Sequence, residues 1–171
     1  SAEASAPESF QLAELWQQTA TLELNRNRPV AALAAVSRSL DLLERRPGTE
    51  AFRRNLAMLR AIANLDNRNP DEAEKAIDNA DLVASAVAND RSGAQRSLLR
   101  ARSAIWRSDL EGAVRWLADA EAKHQRSPDP CYRLFQSNLH RARGEVAFFR
   151  RAAVDADVEF RAALSHLDAD P

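Results

Sequence analysis

The sequence has few cysteines and glycines and no long apolar run. Its 171 residues include one cysteine, Cys131, and four glycines. No apolar run approaches the roughly 20 residues that a membrane span requires. A single cysteine excludes an intrachain disulfide and a cysteine-based metal site. The sequence also has no phosphate-cradling glycine loop and no Gly-x-Ser-x-Gly elbow, so most enzyme classes are not indicated.

Net charge is also small. Lysine and arginine number 24 against 25 aspartates and glutamates, which gives −1 and no overall attraction to nucleic acid or to an anionic membrane surface. Arginine outnumbers lysine 22 to 2, and this bias, with abundant alanine, suggests a GC-rich bacterial coding source. We expect a cytoplasmic protein, or a periplasmic or secreted one if a signal peptide was removed before Ser1.

What the sequence does contain is a repeated spacing of small residues. In each copy a small residue is followed at intervals of twelve, four and three positions by an alanine, a bulkier residue and another small one. Copies start 41, 40 and 43 residues apart, a period that predicts stacked helical hairpins. Helix axes approach to roughly 8 to 10 Å where the contact residues are small, so each copy predicts a close contact within a hairpin. The four copies are Ala20, Ala32, Val36 and Ser39; Ala61, Ala73, Ile77 and Ala80; Ala101, Ala113, Leu117 and Ala120; and Gly144, Ala156, Phe160 and Ala163.

Prolines and capping residues predict where the helices begin. Pro29 and Pro70 suit the first turn of a helix, where a missing N–H is harmless. Asn69 precedes one of these starts, and Ser108 with Glu111 has the spacing of a capping box. Because β-branched residues are scarce and never alternate, we expect an all-α fold without strands. The predicted helices cover about 8–26, 29–45, 49–67, 70–88, 93–107, 109–125, 130–150 and 154–168.

The repeated unit resembles the tetratricopeptide repeat. That family places Trp, Leu-Gly and Tyr on the first helix of a hairpin and Ala-x3-Phe with a later Ala on the second. Trp16 and Gly144 match the first-helix pattern, Phe160 matches the second, and every copy has the alanine that opens the second-helix signature. The period is longer than the usual 34 residues. Where the family has leucine this chain has Arg60, Arg100 and Arg143, which we expect to pair with acids on a neighbouring hairpin.

The resemblance covers about residues 10–168 and implies a right-handed superhelix, or α-solenoid, of four hairpins. One domain, 8–171, would follow a disordered leader, 1–7. An unrelated antiparallel helical array is the alternative. The hairpins are expected at about 8–48, 49–92, 93–129 and 130–168.

Because no catalytic or cofactor-binding motif is found, we expect a non-enzymatic binding module without a cofactor. The resemblance implies that the first helices line a concave groove that holds a peptide or partner helix. Carried over to this chain, the groove residues are Met58, Ile62, Leu65, Leu98, Arg102, Ile105, Trp106, Asn138, Arg141, Glu145, Phe148 and Phe149. Neighbouring positions in the second and third copies add Asn55 and Gln95. The first copy contributes Glu14, Gln17, Thr21, Leu24 and Asn25.

Other function classes remain open. One is a ligand-sensing regulatory domain of a bacterial transcription regulator or signalling enzyme, and another is an enzyme in an atypical helical array. The three histidines, His124, His140 and His166, lie on different predicted helices without a ligand-type neighbour, so no metal site is expected. The acidic clusters that begin at Asp71 and Asp155 occupy first helical turns, where the backbone dipole favours negative charge without any catalytic role.

Arginines near the predicted groove indicate the charge of a partner. Arg102 and Arg141 are expected beside Trp106, Phe148 and Phe149, where guanidinium groups and aromatic faces would hold an acidic or C-terminal carboxylate peptide. Nucleic acid is the alternative ligand of this patch. The last helix has an apolar face that predicts either self-association or a longer parent protein. That face consists of Val158, Phe160, Ala163, Leu164 and Leu167.

Overall fold

The structure is a computed structural model that describes residues 6–43, 48–84, 91–126 and 132–168. These ranges contain eight α-helices and no strand, which confirms the all-α prediction. Where both sides of a helix boundary are described, it lies within two residues of its predicted position. The first five residues of the predicted leader and Cys131 lie outside the described residues. The helices are α1 (Ala6–Asn25), α2 (Pro29–Leu43), α3 (Glu50–Asp66), α4 (Pro70–Ala84), α5 (Arg91–Trp106), α6 (Leu110–Arg126), α7 (Tyr132–Phe149) and α8 (Ala153–Asp168).

Consecutive helices pack in pairs. The two helices of each pair are joined by a turn, and this turn has the same geometry in all four pairs. Each connection has three residues, and the middle one adopts the left-handed conformation: Asn27 (φ 55°), Arg68 (57°), Ser108 (61°) and Arg151 (61°). In each turn this residue donates its N–H to the carbonyl three positions earlier, and the next residue donates to the carbonyl five positions earlier. That is the Schellman motif. The turns recur at 41, 40 and 43 residues, so the structure confirms the helical repeat seen in the sequence.

The small residues of the repeat lie in the core, as predicted. Ala20, Ala61 and Ala101 have no exposed surface, and Gly144 occupies the equivalent buried position on α7. Phe160 is the exception in its copy, because its side chain is 36% exposed. Its ring covers Gly144, so this contact between α7 and α8 stays partly open to solvent.

The chain divides into two compact units, Ser1–Ala88 and Asn89–Pro171. In unit 1 a core formed by α1, α2 and α3 includes a buried hydrogen bond from the Ser39 hydroxyl to the Ala13 carbonyl, 2.8 Å long. In unit 2 the core is built from α5, α6 and α7. The single superhelical domain and its handedness stay predictions.

One predicted cap is corrected by the structure. Asp109, not Ser108, caps α6, because the Gly112 N–H donates to its Oδ1 at 2.8 Å. Ser108 is instead the left-handed residue of the preceding turn, which places it outside a capping box. Asn69 does cap α4, although weakly, since the Glu72 N–H lies 3.5 Å from its Oδ1.

Arginines join neighbouring helices in unit 2. Arg143 on α7 contacts Glu121 on α6 at 2.7 Å, which confirms the predicted pairing with an acid on the neighbouring hairpin. Arg100 lies over the Trp116 ring, 5.1 Å from its centroid. Arg60 is exposed on α3 and makes no ion pair with any residue that the structure describes.

Candidate functional site

Four aromatic side chains of unit 2 lie together at the surface. Trp106 ends α5, Phe148 and Phe149 end α7, and Phe160 lies on α8. Their exposed fractions are 46, 64, 54 and 36% respectively. Solvent-exposed apolar side chains are ordinary when scattered singly, but a contiguous cluster marks a binding surface. Together with Ile105 and Glu145, these four side chains line a pocket of about 220 Å³, which we call the aromatic pocket.

The end of α7 is positioned by its Schellman turn. The Arg151 N–H donates to the Phe148 carbonyl at 2.9 Å, and the turn then leads into α8. Phe160 can approach α7 because Gly144, one turn before Phe148, has no side chain. Phe148 and Phe149 meet edge to face, with ring centroids 5.8 Å apart and planes at 76°, a favourable geometry for two aromatic rings.

The charged residue in the lining of the aromatic pocket is Glu145. Its Oε1 accepts a hydrogen bond from Arg141 Nε at 3.1 Å, one turn earlier on α7. The structure gives its Oε2 no donor among the described residues. Glu145 therefore offers an acceptor at the edge of an otherwise apolar pocket.

Five arginines lie close in sequence to the pocket residues of α5 and α7, two of them on these helices and three in the turns that follow. We call this set the basic rim. Arg150 is paired with Glu111 at 2.8 Å, and Arg141 with Glu145. These arginines place positively charged groups next to the pocket residues along the chain. The basic rim consists of Arg102, Arg107, Arg141, Arg150 and Arg151.

The aromatic pocket brings together five residues that the resemblance placed in a groove: Ile105, Trp106, Glu145, Phe148 and Phe149. Arg102 and Arg141 lie on the same two helices. The sequence places Phe160 in the repeat pattern and on the apolar face of the last helix, and it does not assign this residue to the groove. Gly144 is the sequence signal for the position of Phe160, because a glycine on one helix leaves room for a phenylalanine ring from the facing helix.

Other predicted groove residues are part of the core. Met58, Leu65, Leu98 and Ile105 are at most 7% exposed, because these positions face neighbouring helices. The first three offer almost no accessible surface, and Ile105 lines the aromatic pocket although it is nearly buried. Ile62 and Asn138 are half-buried, whereas Asn55 and Gln95 are exposed.

The first-copy residues lie along α1 in unit 1. A depression of about 490 Å³ follows this helix and is lined by Glu14, Gln17, Thr21 and Asn25 together with Gln18 and Leu22. Leu24 is half-buried beside it. The lining is polar and contains no aromatic ring, so it lacks the anchoring surface found in unit 2.

A third depression, of about 450 Å³, lies between α6, α7 and α8. Its apolar part includes Val114, Leu117 and Val146, and its charged part includes the Arg143–Glu121 ion pair. Ligand pockets for small molecules measure roughly 300 to 1,000 Å³. The size of this depression therefore suits a small molecule, but both of its arginines, Arg143 and Arg150, are already paired with acids.

Two histidines that the sequence placed on separate helices meet in the structure. His140 Nδ1 lies 2.7 Å from Glu159 Oε2, and its ring stacks on His166 with centroids 5.3 Å apart. Sequence spacing could not show this contact, because it depends on the register of α7 against α8. Among the described residues no group of three or more histidines, cysteines or carboxylates could hold a metal ion.

A serine, a lysine and an aspartate form a network between α5 and α6. Ser97 Oγ donates to Asp119 Oδ2 at 2.5 Å and accepts from Lys123 Nζ at 3.0 Å. Burial by itself raises the pKa of Asp119, but hydrogen bonds from Lys123 and Ser97 and the nearby cationic charges outweigh it, so this pKa is lowered. Ser97 is only 1% exposed, so its hydroxyl is enclosed between the two helices.

Comparison of the chain with protein-family models, with curated proteins and with solved structures found no match. No helix in the described ranges is long and apolar enough to cross a membrane.

Proposed function

We propose that the chain is a non-enzymatic, tetratricopeptide-like module that binds a peptide or partner helix, with the aromatic pocket as the centre of the binding surface. The observation that supports this proposal is the exposure of Trp106, Phe148, Phe149 and Phe160 at one place. A few residues carry most of the affinity in protein interfaces, and aromatic side chains and arginine are prominent among them. Both residue types meet at this edge of unit 2.

The basic rim favours an acidic partner. Opposite charges steer association and fix the register of a bound segment, more than they raise its affinity. Arg102 and Arg141 lie one turn or two before the aromatic residues on their helices, so an acidic segment anchored in the aromatic pocket would pass them. Added salt should weaken such an interaction.

Nucleic acid is the competing ligand, since aromatic rings and arginines also hold single strands. Glu145 in the pocket lining disfavours a phosphate there, and the net charge of −1 gives no general attraction to a polyanion. An acidic peptide fits both the pocket lining and the basic rim better than nucleic acid does. Its apolar anchor would enter the pocket while its carboxylates remain outside.

The experiment is a selection from a random peptide library on the whole chain, followed by measured affinities for the selected peptide. Trp106→Ala and Phe149→Ala should each weaken binding by about tenfold or more, as loss of a central aromatic anchor does. Leu134→Ala is the matched control, because Leu134 is an exposed apolar residue at the other end of α7. Unchanged affinity for both pocket variants would refute the proposal. A single-stranded oligonucleotide that binds while no peptide does would replace it with the nucleic-acid alternative.

A ligand-sensing regulatory domain is the second candidate, and the depression between α6, α7 and α8 favours it by its size of about 450 Å³. A small-molecule ligand would have to coexist with, or displace, the Arg143–Glu121 ion pair. Thermal-shift screening with a metabolite collection tests this candidate, and Val146→Trp should remove any stabilisation by occupying the depression.

Self-association is a further proposal for the apolar face of α8. Val158, Leu164 and Leu167 are each more than half exposed, whereas Ala163 from the same predicted face is buried. Light scattering on the wild type and on Leu164→Glu tests it. A mass that falls on substitution supports a dimer through α8, and a monomeric wild type contradicts it.

A further inference from the structure

The size of the aromatic pocket restricts what it can enclose. Pockets that bury a whole small ligand measure roughly 300 to 1,000 Å³, and the aromatic pocket measures about 220 Å³. That volume suits one large side chain projecting from a longer segment. The rest of the segment would lie outside the pocket, across the helix ends.

The chemistry of the lining restricts the anchor further. Glu145 is the polar side chain among aromatic and aliphatic neighbours, and its Oε2 has no donor among the described residues. An anchor without a donor, such as phenylalanine or leucine, would cover this oxygen and remove its water without replacing the hydrogen bond. Leaving a buried charged acceptor unsatisfied is costly, whereas a hydrogen bond to a charged group is among the stronger ones.

We infer that the aromatic pocket binds a single tryptophan or tyrosine side chain of an acidic partner segment, and that Glu145 accepts its indole N–H or phenol O–H. This inference rests on the proposed peptide-binding function and specifies its anchor. Tryptophan and tyrosine combine a large apolar body with one polar tip, which matches four aromatic rings and one carboxylate.

A cationic anchor is the main chemical rival, because aromatic rings and a carboxylate also attract an ammonium group. The ion pair at this carboxylate argues against it. Arg141 already contacts Glu145 at 3.1 Å, so a second cation would be repelled there, whereas a neutral donor would not.

The test uses short fluorescent peptides in which glutamates flank one central residue, and fluorescence anisotropy with the whole chain. The central residue is tryptophan, tyrosine, phenylalanine, 1-methyltryptophan or lysine. Tryptophan should bind about tenfold more tightly than 1-methyltryptophan, which keeps the ring but lacks the donor. Glu145→Leu should abolish that difference, and Glu145→Gln should retain part of it because the amide oxygen still accepts.

Glu72→Leu is the matched control, since Glu72 belongs to a similar short-range ion pair with Lys75 in unit 1. It should leave all affinities unchanged. Equal affinities for tryptophan, 1-methyltryptophan and phenylalanine, all lost in Trp106→Ala, would overturn the role of Glu145 but preserve the peptide-binding function. Tightest binding of the lysine peptide would overturn the inference in favour of a cation site. Absence of binding by every peptide would overturn both the inference and the proposed function.

Discussion

The ring of Phe160 lies against Gly144 so closely that a β-carbon at position 144 would come within 2.7 Å of two ring carbons. Gly144 belongs to the small-residue pattern that recurs through the chain, and Phe160 belongs to the aromatic pocket. The same contact therefore joins the repeat to the candidate site, because the missing side chain on α7 determines where the ring on α8 can lie.

Gly144→Ala should destabilise the chain although alanine is the better helix former. Alanine gains about 1 kcal/mol over glycine in a helix interior, but overpacking a tight contact costs roughly 1 to 3 kcal/mol. Urea unfolding of both proteins measures the net change.

The same substitution in a Phe160→Ala background is the control. Without the ring, the added methyl group meets no obstacle from it, and Gly144→Ala should then stabilise the chain. A double-mutant cycle isolates this coupling. If the substitution has the same sign in both backgrounds, the ring does not control position 144.

Ala113→Leu tests the close contact inside the third hairpin. Ala113 has no exposed surface, so the larger side chain should cost roughly 1 to 3 kcal/mol or more. Ala122→Leu on the same helix is the matched control, because Ala122 is exposed. Equal midpoints of thermal unfolding for the two variants would remove the physical basis of the small-residue pattern.

Arg151→Gly should stabilise the chain. Arg151 has φ 61°, a conformation that costs a residue with a β-carbon roughly 1 kcal/mol and costs glycine little. The unfolding free energy should therefore rise by up to about 1 kcal/mol. Ala122→Gly, in an ordinary helical position, should lower it by about as much. A loss of stability in Arg151→Gly would contradict the shared turn geometry.

The helical repeat was predictable because it depends on local signals. Pro29 and Pro70 begin helices where their rings fit, and the spacing that starts at Ala20 recurs at buried positions. The turns were harder to predict from the sequence, because arginine and serine occupy left-handed positions that usually favour glycine. Ser108 was mistaken for a cap for that reason.

The candidate site was predictable only in part. Trp106, Phe148 and Phe149 were identified as surface aromatic residues because a family resemblance assigned them to the ligand side of first helices. The resemblance could not tell which neighbours of these residues are buried, so Leu65 and Leu98 were included although both pack inside. The position of Phe160 depends on tertiary packing against Gly144 and could not be deduced from spacing.

The Asp119 network should make part of the stability dependent on pH. The pKa of Asp119 is lowered from its ordinary 3.8 in the folded chain, with burial opposed by hydrogen bonds from Lys123 and Ser97. A lowered folded pKa contributes stability that is present above the unfolded pKa and is lost as pH falls through the folded one. Asp119→Asn should therefore be less stable than the wild type near neutral pH, and the difference should shrink at acid pH below 3.8.

Titration of the Asp119 carboxyl by nuclear magnetic resonance checks the cause directly. Ser97→Ala removes one donor, so the pKa of Asp119 should rise towards its ordinary value, and Lys123→Met should raise it as well by removing a donor and a charge. A wild-type pKa at or above 3.8, or no change in either variant, would contradict this account of the network.

The most direct measurement of the central claim follows the indole N–H signals of the three tryptophans while a selected peptide is added. Trp106 lines the aromatic pocket. The other two tryptophans are covered by arginines: Trp16 in unit 1 by Arg38, and Trp116 on α6 by Arg100. The account predicts that the Trp106 signal shifts with peptide concentration and that the other two stay in place. A shift of Trp16 or Trp116 with an unchanged Trp106 signal would contradict it, because binding would then occur away from the aromatic pocket.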